Sequence, residues 1–431
     1  MSLLDQFPRM SAYDPGAVGE GGLDPMGSGA VSDRIANLLV PGLRARMSQP
    51  RFTTLSAVGA IACQALTDKT ADDGKTTADI AFEWLIVEAL VRSTEHGRKD
   101  GLPGSQKAMR ALRARERLSR RTYLSGPRVF GFTGVYRPFS RDVGVLAIDD
   151  LPAENAVMLV RAWERDHDLP GFVDGNVAKA GGRLRKEIAD ACSRTLDRGE
   201  CAAPAEGALM PSLAGCLAPR EAGEHERAAL QQLIRSGTHE LRNELAERLV
   251  RIGSSPEETQ RDLALRLLPG SSQPLRLALQ AAIDYEAATT AIDNAFRRFL
   301  AHTTQQHGAV ISRAGALATP GQAESARTIG GMAQRAIDAV IALGDASLAN
   351  DAMQVLGPFA RQFSPDGFFD ALIERHEQVQ ANRKKLSWLD QIDRQWTVRP
   401  PYRGQDNDLD DAIWTHPMRI STLARFLAET A

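Results

Sequence analysis

The sequence has few aromatic residues and no long apolar run. Aromatic side chains make up 6% of the 431 residues, whereas Ala, Leu and Arg are abundant, which favours helices over sheets. Because no segment of about 18 consecutive apolar residues occurs, we expect no transmembrane helix. The N-terminus contains an acidic residue early and no apolar core segment, so the sequence predicts no secretory signal and no membrane partner.

Cysteine is also scarce, and its spacing fits neither a metal knuckle nor a redox motif. The four cysteines, Cys63, Cys192, Cys201 and Cys216, form no CxxC pair. This pattern is typical of reduced thiols, so we expect a cytoplasmic protein. The sequence predicts no cofactor and no metal site.

A complete phosphate-binding loop is missing as well. Gly74-Lys75-Thr76 matches the end of a Walker sequence, but the glycine required five positions before Gly74 is Lys69. No strand-like run precedes this stretch. The better interpretation is a polar loop that leads into a helix beginning near Thr76.

The histidine motifs are incomplete too. His239-Glu240 and His376-Glu377 begin like the zinc-binding HExxH, but the second histidine is replaced by Asn243 and by Gln380. Both histidines are predicted to lie on solvated or interface faces of helices. Asp166-His167-Asp168 is interpreted as a capped, exposed helix end, because adjacent side chains point in different directions. These motifs leave the activity open and favour a protein that is not an enzyme.

What the chain does contain is a concentration of positive charge. Twelve basic and two acidic residues lie between Arg98 and Arg141, in a protein of formal charge −2. Arg110, Arg113 and Arg117 recur at helical spacing, which predicts one basic helical face that also includes Arg120 and Arg121. Clustered arginines bind phosphates without reading bases. The predicted DNA-binding residues are Arg110, Arg113, Arg117, Arg120, Arg121, Arg128, Arg137 and Arg141.

Two alternatives to DNA binding remain for this arginine stretch. The helix could be merely solvated or packed against an acidic segment of the same protein, such as Asp406–Asp411. It could also contact an acidic protein partner. Charge pattern alone does not separate these possibilities.

Hydrophobic periodicity predicts a mainly α, multi-helical fold. Helices are expected over most of Pro50–Ala65, Thr76–Arg92, Glu221–Gln305 and Gln322–Leu386. Short strands are expected only near Val129–Ile148. The order helix, turn, helix and short strand over about 107–150 is that of a winged-helix-like unit, although many small helical domains share it.

Composition shifts predict five regions. Gly, Asp and Pro are frequent in residues 1–30, which suggests a flexible arm. A helical domain follows at 31–197, and a Pro- and Gly-containing linker is expected at 198–217. The second half is interpreted as a helical scaffold at 218–395 and an extended strap at 396–431 that ends in a short helix.

A resemblance to known proteins is carried by five stretches of the sequence: AVSDRIANLLVPGLRARMSQPRFTTLSAVG (30–59), YLSGPRVFGFTGVYRPFSRDVGVL (123–146), LVRAWERDHDLPGF (159–172), LIERHEQVQANRKKLSWL (372–389) and HPMRISTLARFLAE (416–429). These stretches resemble a group of bacterial proteins encoded in anti-phage defence islands, often beside helicase and nuclease genes. That group has no assigned catalytic residues to carry over.

Charge pattern and resemblance together predict a non-enzymatic subunit of a bacterial anti-phage defence system. It would bind DNA through the arginine face and dock partner proteins of the defence complex, a helicase or a nuclease. The alternatives are a protein–protein adaptor that binds no DNA and an enzyme whose active site is assembled from distant residues.

Overall fold

The structure is a computed structural model that describes residues 24–93, 99–124, 126, 130–204, 207–235, 237–255, 258–393, 395–406 and 408–431. Helices dominate it, and the predicted mainly α fold is confirmed. Among the described residues, no helix combines the length and the apolar character that a bilayer crossing requires.

The described helices and strands are numbered here in chain order. The helices are α1 Gly29–Leu39, α2 Phe52–Ala62, α3 Ala78–Arg92, α4 Ser105–Arg113, α5 Phe132–Asp142, α6 Glu154–Asp166, α7 Ala180–Arg198, α8 Leu209–Cys216, α9 Glu224–Arg235, α10 Glu240–Ile252, α11 Gln260–Leu267, α12 Gln273–His307, α13 Arg313–Leu317, α14 Gln322–Ile341, α15 Ala346–Leu356, α16 Pro365–Asn382 and α17 Ile420–Glu429. The strands are β1 Val310–Ser312, β2 Leu389–Ile392 and β3 Gln395–Val398.

The chain divides into two compact units whose boundaries differ from the predicted ones. Unit 1 comprises Met1–Ile35 and Thr259–Pro417, and unit 2 comprises Ala36–Glu258 and Met418–Ala431. The predicted linker at 198–217 lies inside unit 2, where it forms α8 and packs against α3. Both units are therefore built from segments that are distant in sequence, which composition alone does not reveal.

Unit 1 is organised around α12, a helix of 35 residues. Its start is fixed locally, because the side chain of Ser272 accepts a hydrogen bond from the amide of Leu275 at 3.3 Å and Pro274 occupies the first turn. Long stretches of α12 are buried, and α14 packs along it. The predicted apolar stripe of this helix is thus a core face.

The strands of the described chain all lie in unit 1. They form one antiparallel sheet in the order β1-β3-β2, with Ile311 opposite Trp396 and Leu389 opposite Val398. The prediction of strands confined to Val129–Ile148 is wrong. The tail from Trp396 therefore begins as a strand, while the short helix predicted near its end is confirmed as α17.

No winged-helix-like strand forms among the described residues of 107–150. The short helix predicted near residues 136–142 is present as α5, but Val143–Ile148 is a tight turn. Its backbone pairs with residues close by in sequence on both sides: Val145 N donates to Ser140 O at 2.8 Å, and Ala147 N donates to Leu151 O at 2.9 Å. A short apolar run without a second strand beside it does not become a sheet.

Unit 2 is organised around α3, which is buried over nearly its whole length. The helices α4, α7 and α8 pack against it, and α2 packs against α5 and α6. The predicted helices at Pro50–Ala65 and Thr76–Arg92 are confirmed as α2 and α3, with slightly shorter bounds. The four cysteines are buried and form no disulfide bond.

The N-terminal arm predicted at 1–30 falls mostly outside the described residues. Its last part is described and is packed in unit 1, since Met26 is buried and α1 begins at Gly29. The flexible interpretation therefore does not apply to residues 24–30.

Candidate nucleic-acid interface

The predicted basic helical face is shorter than the sequence suggests, because α4 ends at Arg113. Arg115 adopts a left-handed conformation with φ of 58°. The amide of Arg115 donates to Leu112 O at 3.0 Å, and the amide of Glu116 donates to Ala111 O at 2.9 Å. These two hydrogen bonds form a Schellman motif, the usual end of a helix, here with arginine in the position that glycine normally takes. Arg117, Arg120 and Arg121 are therefore not part of this helical face, and that prediction is wrong.

Arg117 contacts the protein interior. Its Nε donates to Cys201 O at 2.8 Å, and its Nη2 lies 3.3 Å from the carboxylate of Glu88. Only 23% of its side chain is exposed. The same carboxylate accepts a hydrogen bond from Leu118 N at 2.8 Å, so Arg117 helps to fix the turn that follows α4.

Arg137 and Arg141 are brought together by Asp150. Arg141 Nη2 lies 2.8 Å from Asp150 Oδ1, and Arg137 Nε lies 3.3 Å from Asp150 Oδ2. Arg137 also donates to Asp79 at 2.7 Å. Both guanidinium groups are thus largely compensated by neighbouring carboxylates.

The other predicted residues differ in exposure and in whether a carboxylate lies nearby. Arg120 lies 3.6 Å from Asp73, whereas Arg121, 86% exposed, lies 3.7 Å from Glu116. Arg128 lies outside the described residues. Arg110 and Arg113 are exposed, and neither forms an ion pair with a described residue.

An exposed basic surface remains at the end of α4, which we call the α4 patch. It is interrupted by one acidic residue, Glu116. Its members are Lys107, Arg110, Arg113, Arg115 and Arg121. Within unit 1, Asp411 of the acidic segment Asp406–Asp411 lies 2.8 Å from Arg298.

Unit 1 contains a separate polar cleft of about 1100 Å³. His416 lines this cleft and contacts two buried residues behind it: Glu286 Oε1 lies 3.1 Å from His416 Nδ1, and His416 Nε2 lies 3.4 Å from Ser28 Oγ. An acid, a histidine and a serine in this order are the groups of a hydrolytic triad, so the arrangement must be tested against that chemistry.

Three features of this chain favour a structural role. Ser28 is only 1% exposed, so its hydroxyl is not open to a substrate. The amides of Ser28 and Gly29 donate to the Asp24 carboxylate at 3.0 and 3.3 Å, which leaves them unable to stabilise an oxyanion. Burial would lower the pKa of His416, but the hydrogen bond and charge of Glu286 raise it, so at a given pH a smaller fraction of this imidazole is neutral and able to accept a proton.

Sequence reasoning missed a buried polar cluster in unit 2. Arg51 is 1% exposed and binds Glu226 through Nε at 2.9 and 3.1 Å and through Nη2 at 2.9 Å. Its Nη2 also lies 2.8 Å from His167 Nε2 and donates to Cys216 O at 2.9 Å. Burial and the charge of Arg51 lower the pKa of His167 to about 4.

The interpretation of Asp166-His167-Asp168 as an exposed helix end is therefore wrong for its first two residues. The Asp166 carboxylate accepts hydrogen bonds from the amides of His225 and Glu226 at 3.2 and 2.7 Å and so caps the start of α9. No signal in the sequence links these residues, because the partners of Asp166 lie about 60 positions away and Arg51 lies 116 positions from His167.

The prediction that His376 lies on a solvated or interface face of a helix is also wrong. It is fully buried, with Nδ1 3.1 Å from Pro25 O and Nε2 accepting from the Trp388 amide at 3.0 Å. His239, by contrast, is partly exposed and lies 2.5 Å from Asp142. Within the described residues, no group of three or more His, Cys, Asp or Glu is arranged to hold a metal ion.

Comparison of the chain with protein-family models, with curated proteins and with solved structures finds no match. The class of protein that the fold defines is thus a mainly helical one built of two units, and function has to be argued from its surfaces.

Proposed function

We propose that the protein binds DNA through the α4 patch. The observation that carries this proposal is the contrast within the predicted arginine set: Arg110 and Arg113 are exposed and form no ion pair with a described residue, whereas Arg117 and Arg137 are compensated internally. Solvated guanidinium groups retain their full capacity to replace the counterions of a phosphate backbone.

The position of the patch at a helix C-terminus has a small opposing effect. The partial negative charge of the last turn attracts Arg110 and Arg113 by about 0.3–1 kcal/mol. A charge-assisted hydrogen bond to phosphate is worth more, about 1.5–3 kcal/mol. The attraction of these side chains to the helix end is therefore weaker than their expected hydrogen bonds to phosphate.

The expected recognition is of the backbone rather than of bases. Long side chains on one short helix end reach phosphates easily, and Arg or Lys contacts to phosphate carry no sequence information. Binding should depend weakly on sequence and fall steeply with salt.

The biological setting is proposed on the resemblance alone. In this proposed setting, the protein is a non-enzymatic, cytoplasmic subunit of a bacterial anti-phage defence complex, and a helicase or nuclease is its partner. The alternative is an adaptor in which the same patch contacts an acidic protein, because a carboxylate-rich surface would satisfy the same five side chains.

Fluorescence anisotropy with a labelled DNA duplex, measured over a range of salt concentrations, tests the proposal. The variant Arg110→Glu/Arg113→Glu should bind far more weakly, and the slope of log affinity against log salt should shrink by about 1.8 if each residue contacts one phosphate. Arg276→Glu/Arg335→Glu is the matched control, since both arginines are exposed on α12 and α14 and the charge change is identical.

Three results are decisive. Loss of binding in the patch variant alone supports the proposal, provided that its circular-dichroism spectrum equals that of the parent. Equal loss in both variants would show a non-specific charge effect and contradict it. If the parent binds no DNA but loses a co-purifying protein when the patch is reversed, the adaptor is correct instead.

A further inference from the structure

Unit 2 contains a small cavity that the proposed function does not use. Its volume is about 140 Å³, and it lies between α2, α3, α5 and the turn that follows α5. An apolar cavity of about 150 Å³ in another protein binds benzene. The space is therefore sufficient for one six-membered ring.

Two phenylalanines form the apolar wall of the cavity. Phe82 and Phe132 are both buried, with ring centroids 6.5 Å apart and ring planes at 82°. Gly59 of α2 makes this arrangement possible, because a Cβ at that position would lie 2.5 Å from a ring carbon of Phe82. Leu146 and Leu151 extend the apolar lining.

The lining also contains polar residues of both charge signs. Arg137 lines the cavity and is held by Asp79 at 2.7 Å and by Asp150 at 3.3 Å. Nη2 donates to Asp79, whereas Nε lies at ion-pair distance from Asp150 but is a buried donor without a hydrogen-bond partner among the described residues. The cavity thus offers guanidinium donors beside carboxylate acceptors at the edge of an aromatic wall.

We propose that this cavity binds a neutral, single-ring heterocycle that carries adjacent N–H and C=O groups, the chemistry of a pyrimidine base. A ring carbonyl would accept from Arg137, and a neighbouring N–H would donate to a carboxylate of Asp79 or Asp150. The ring would lie against Phe82 and Phe132. The inference does not depend on the α4 patch.

The charges around the cavity decide against other ligand classes. Three carboxylates, those of Asp79, Asp149 and Asp150, line it with one guanidinium group, so an anion would be repelled. A pure hydrocarbon would fill the space but would leave the polar side desolvated without a partner, which costs about 1–3 kcal/mol per group. A neutral ring with a hydrogen-bonding edge avoids both penalties.

Saturation-transfer NMR on the full chain tests the proposal with uracil and thymine as probes and with benzene and orotate as comparison compounds. Uracil or thymine should bind with Kd of about 1 mM or tighter. Benzene should bind at least about tenfold more weakly, and the orotate anion should not compete. Binding of benzene or orotate in preference to uracil would overturn the proposed ligand class, and the absence of any pyrimidine binding would overturn the site.

The source of the base is resolved by two further probes. If uridine or thymidine competes with uracil, the site accepts a free nucleoside. If only an oligothymidylate competes, the base comes from single-stranded nucleic acid.

A cavity-filling variant ties binding to this site. Ala60 of α2 lines the cavity, so Ala60→Leu should weaken uracil binding at least about tenfold, whereas Ala189→Leu, at a half-exposed position of α7 outside the cavity lining, should not. Unchanged binding to folded Ala60→Leu would overturn the proposal.

Methyl NMR of the parent protein keeps the test independent of whether that variant folds. Uracil should shift the methyl signals of Leu146 and Leu151 and leave those of Leu348 and Leu356 in unit 1 unchanged. The opposite pattern would place any binding elsewhere and contradict the proposed site.

Discussion

Two regions of unit 2 use arginine in opposite ways. Arg51, just before α2, is buried and donates to a carboxylate and to two backbone carbonyls, while Arg110 and Arg113 at the end of α4 are exposed and form no ion pair with a described residue. The first arrangement stabilises the fold, because the charge is compensated inside. The second leaves charge available to a partner. Both regions contain arginine, so the residues around each arginine determine whether its charge is compensated within the protein or left exposed.

The difference has a physical origin that can be measured. A buried charge is tolerated only with its partner, whereas an exposed charge is hydrated whether or not a partner is present. Substitutions in the two regions should therefore separate stability from binding.

The largest expected effect is that of Arg51→Met. The substitution removes the cation from Glu226, whose pKa is already raised by burial although Arg51 opposes that rise. We expect a loss of about 3–5 kcal/mol in the free energy of unfolding, measured by urea denaturation. Arg113→Met is the matched control and should change stability by less than about 0.5 kcal/mol.

The double variant Arg51→Met/Glu226→Gln sharpens this prediction. Removal of both charges should recover part of the lost stability, because no uncompensated carboxylate remains in the interior. If Arg51→Met is as stable as the parent, the contrast between the two regions is not one of buried against exposed charge.

Much of the fold could be predicted from the sequence, because long helices show a clear 3.6-residue period of apolar residues. The stripe of apolar residues in α12 and the serine and proline at its start fix both its type and its first turn. The strands could not be predicted in the same way, since β1 has three residues and β3 has four. Pairing with distant segments, not local pattern, makes them strands.

The conformation of the arginine-rich segment was predictable only in part. The end of α4 carries no glycine or proline, and Arg115 adopts the left-handed conformation at a cost of roughly 1–2 kcal/mol. The spacing of the arginines therefore predicts a helix that continues for two further turns, whereas α4 ends at Arg113. The internal partners of Arg117 come from residues about 30 and 84 positions away, which no local pattern indicates.

A second, smaller effect extends the contrast to histidines of unit 1. Burial lowers the pKa of His376 to about 4, whereas an unfolded histidine titrates near 6.5. Between these values the unfolded chain takes up a proton that the folded protein does not. Stability due to this group should be complete above about pH 6.5 and decline by about 3 kcal/mol as the pH falls towards 4.

His376→Gln tests this pH dependence. The variant should be less stable than the parent at pH 7, yet lose less stability between pH 6.5 and 4, because it has no imidazole to protonate. His307→Gln is the control, since His307 is exposed at the end of α12. Equal pH slopes for the parent and His376→Gln in urea unfolding would contradict the depressed pKa.

The smallest expected effect separates two arginines that the sequence placed on one face. Arg117→Gln removes contacts to Glu88 and to the carbonyl of Cys201, so it should cost about 1–2 kcal/mol in the free energy of unfolding. Because Arg117 faces inward, the DNA affinity of the folded variant should stay within about twofold of the parent.

Arg113→Gln should show the reverse pattern. Its free energy of unfolding should stay within about 0.5 kcal/mol of the parent's, because an exposed arginine without an ion pair contributes little to stability. Its DNA affinity should fall, and the salt slope should shrink by about 0.9, the value for one lost phosphate contact. If Arg117→Gln weakens DNA binding as much as Arg113→Gln does while both variants remain folded, internal pairing does not remove an arginine from the interface. The assignment of the α4 patch would then have to include the compensated arginines as well.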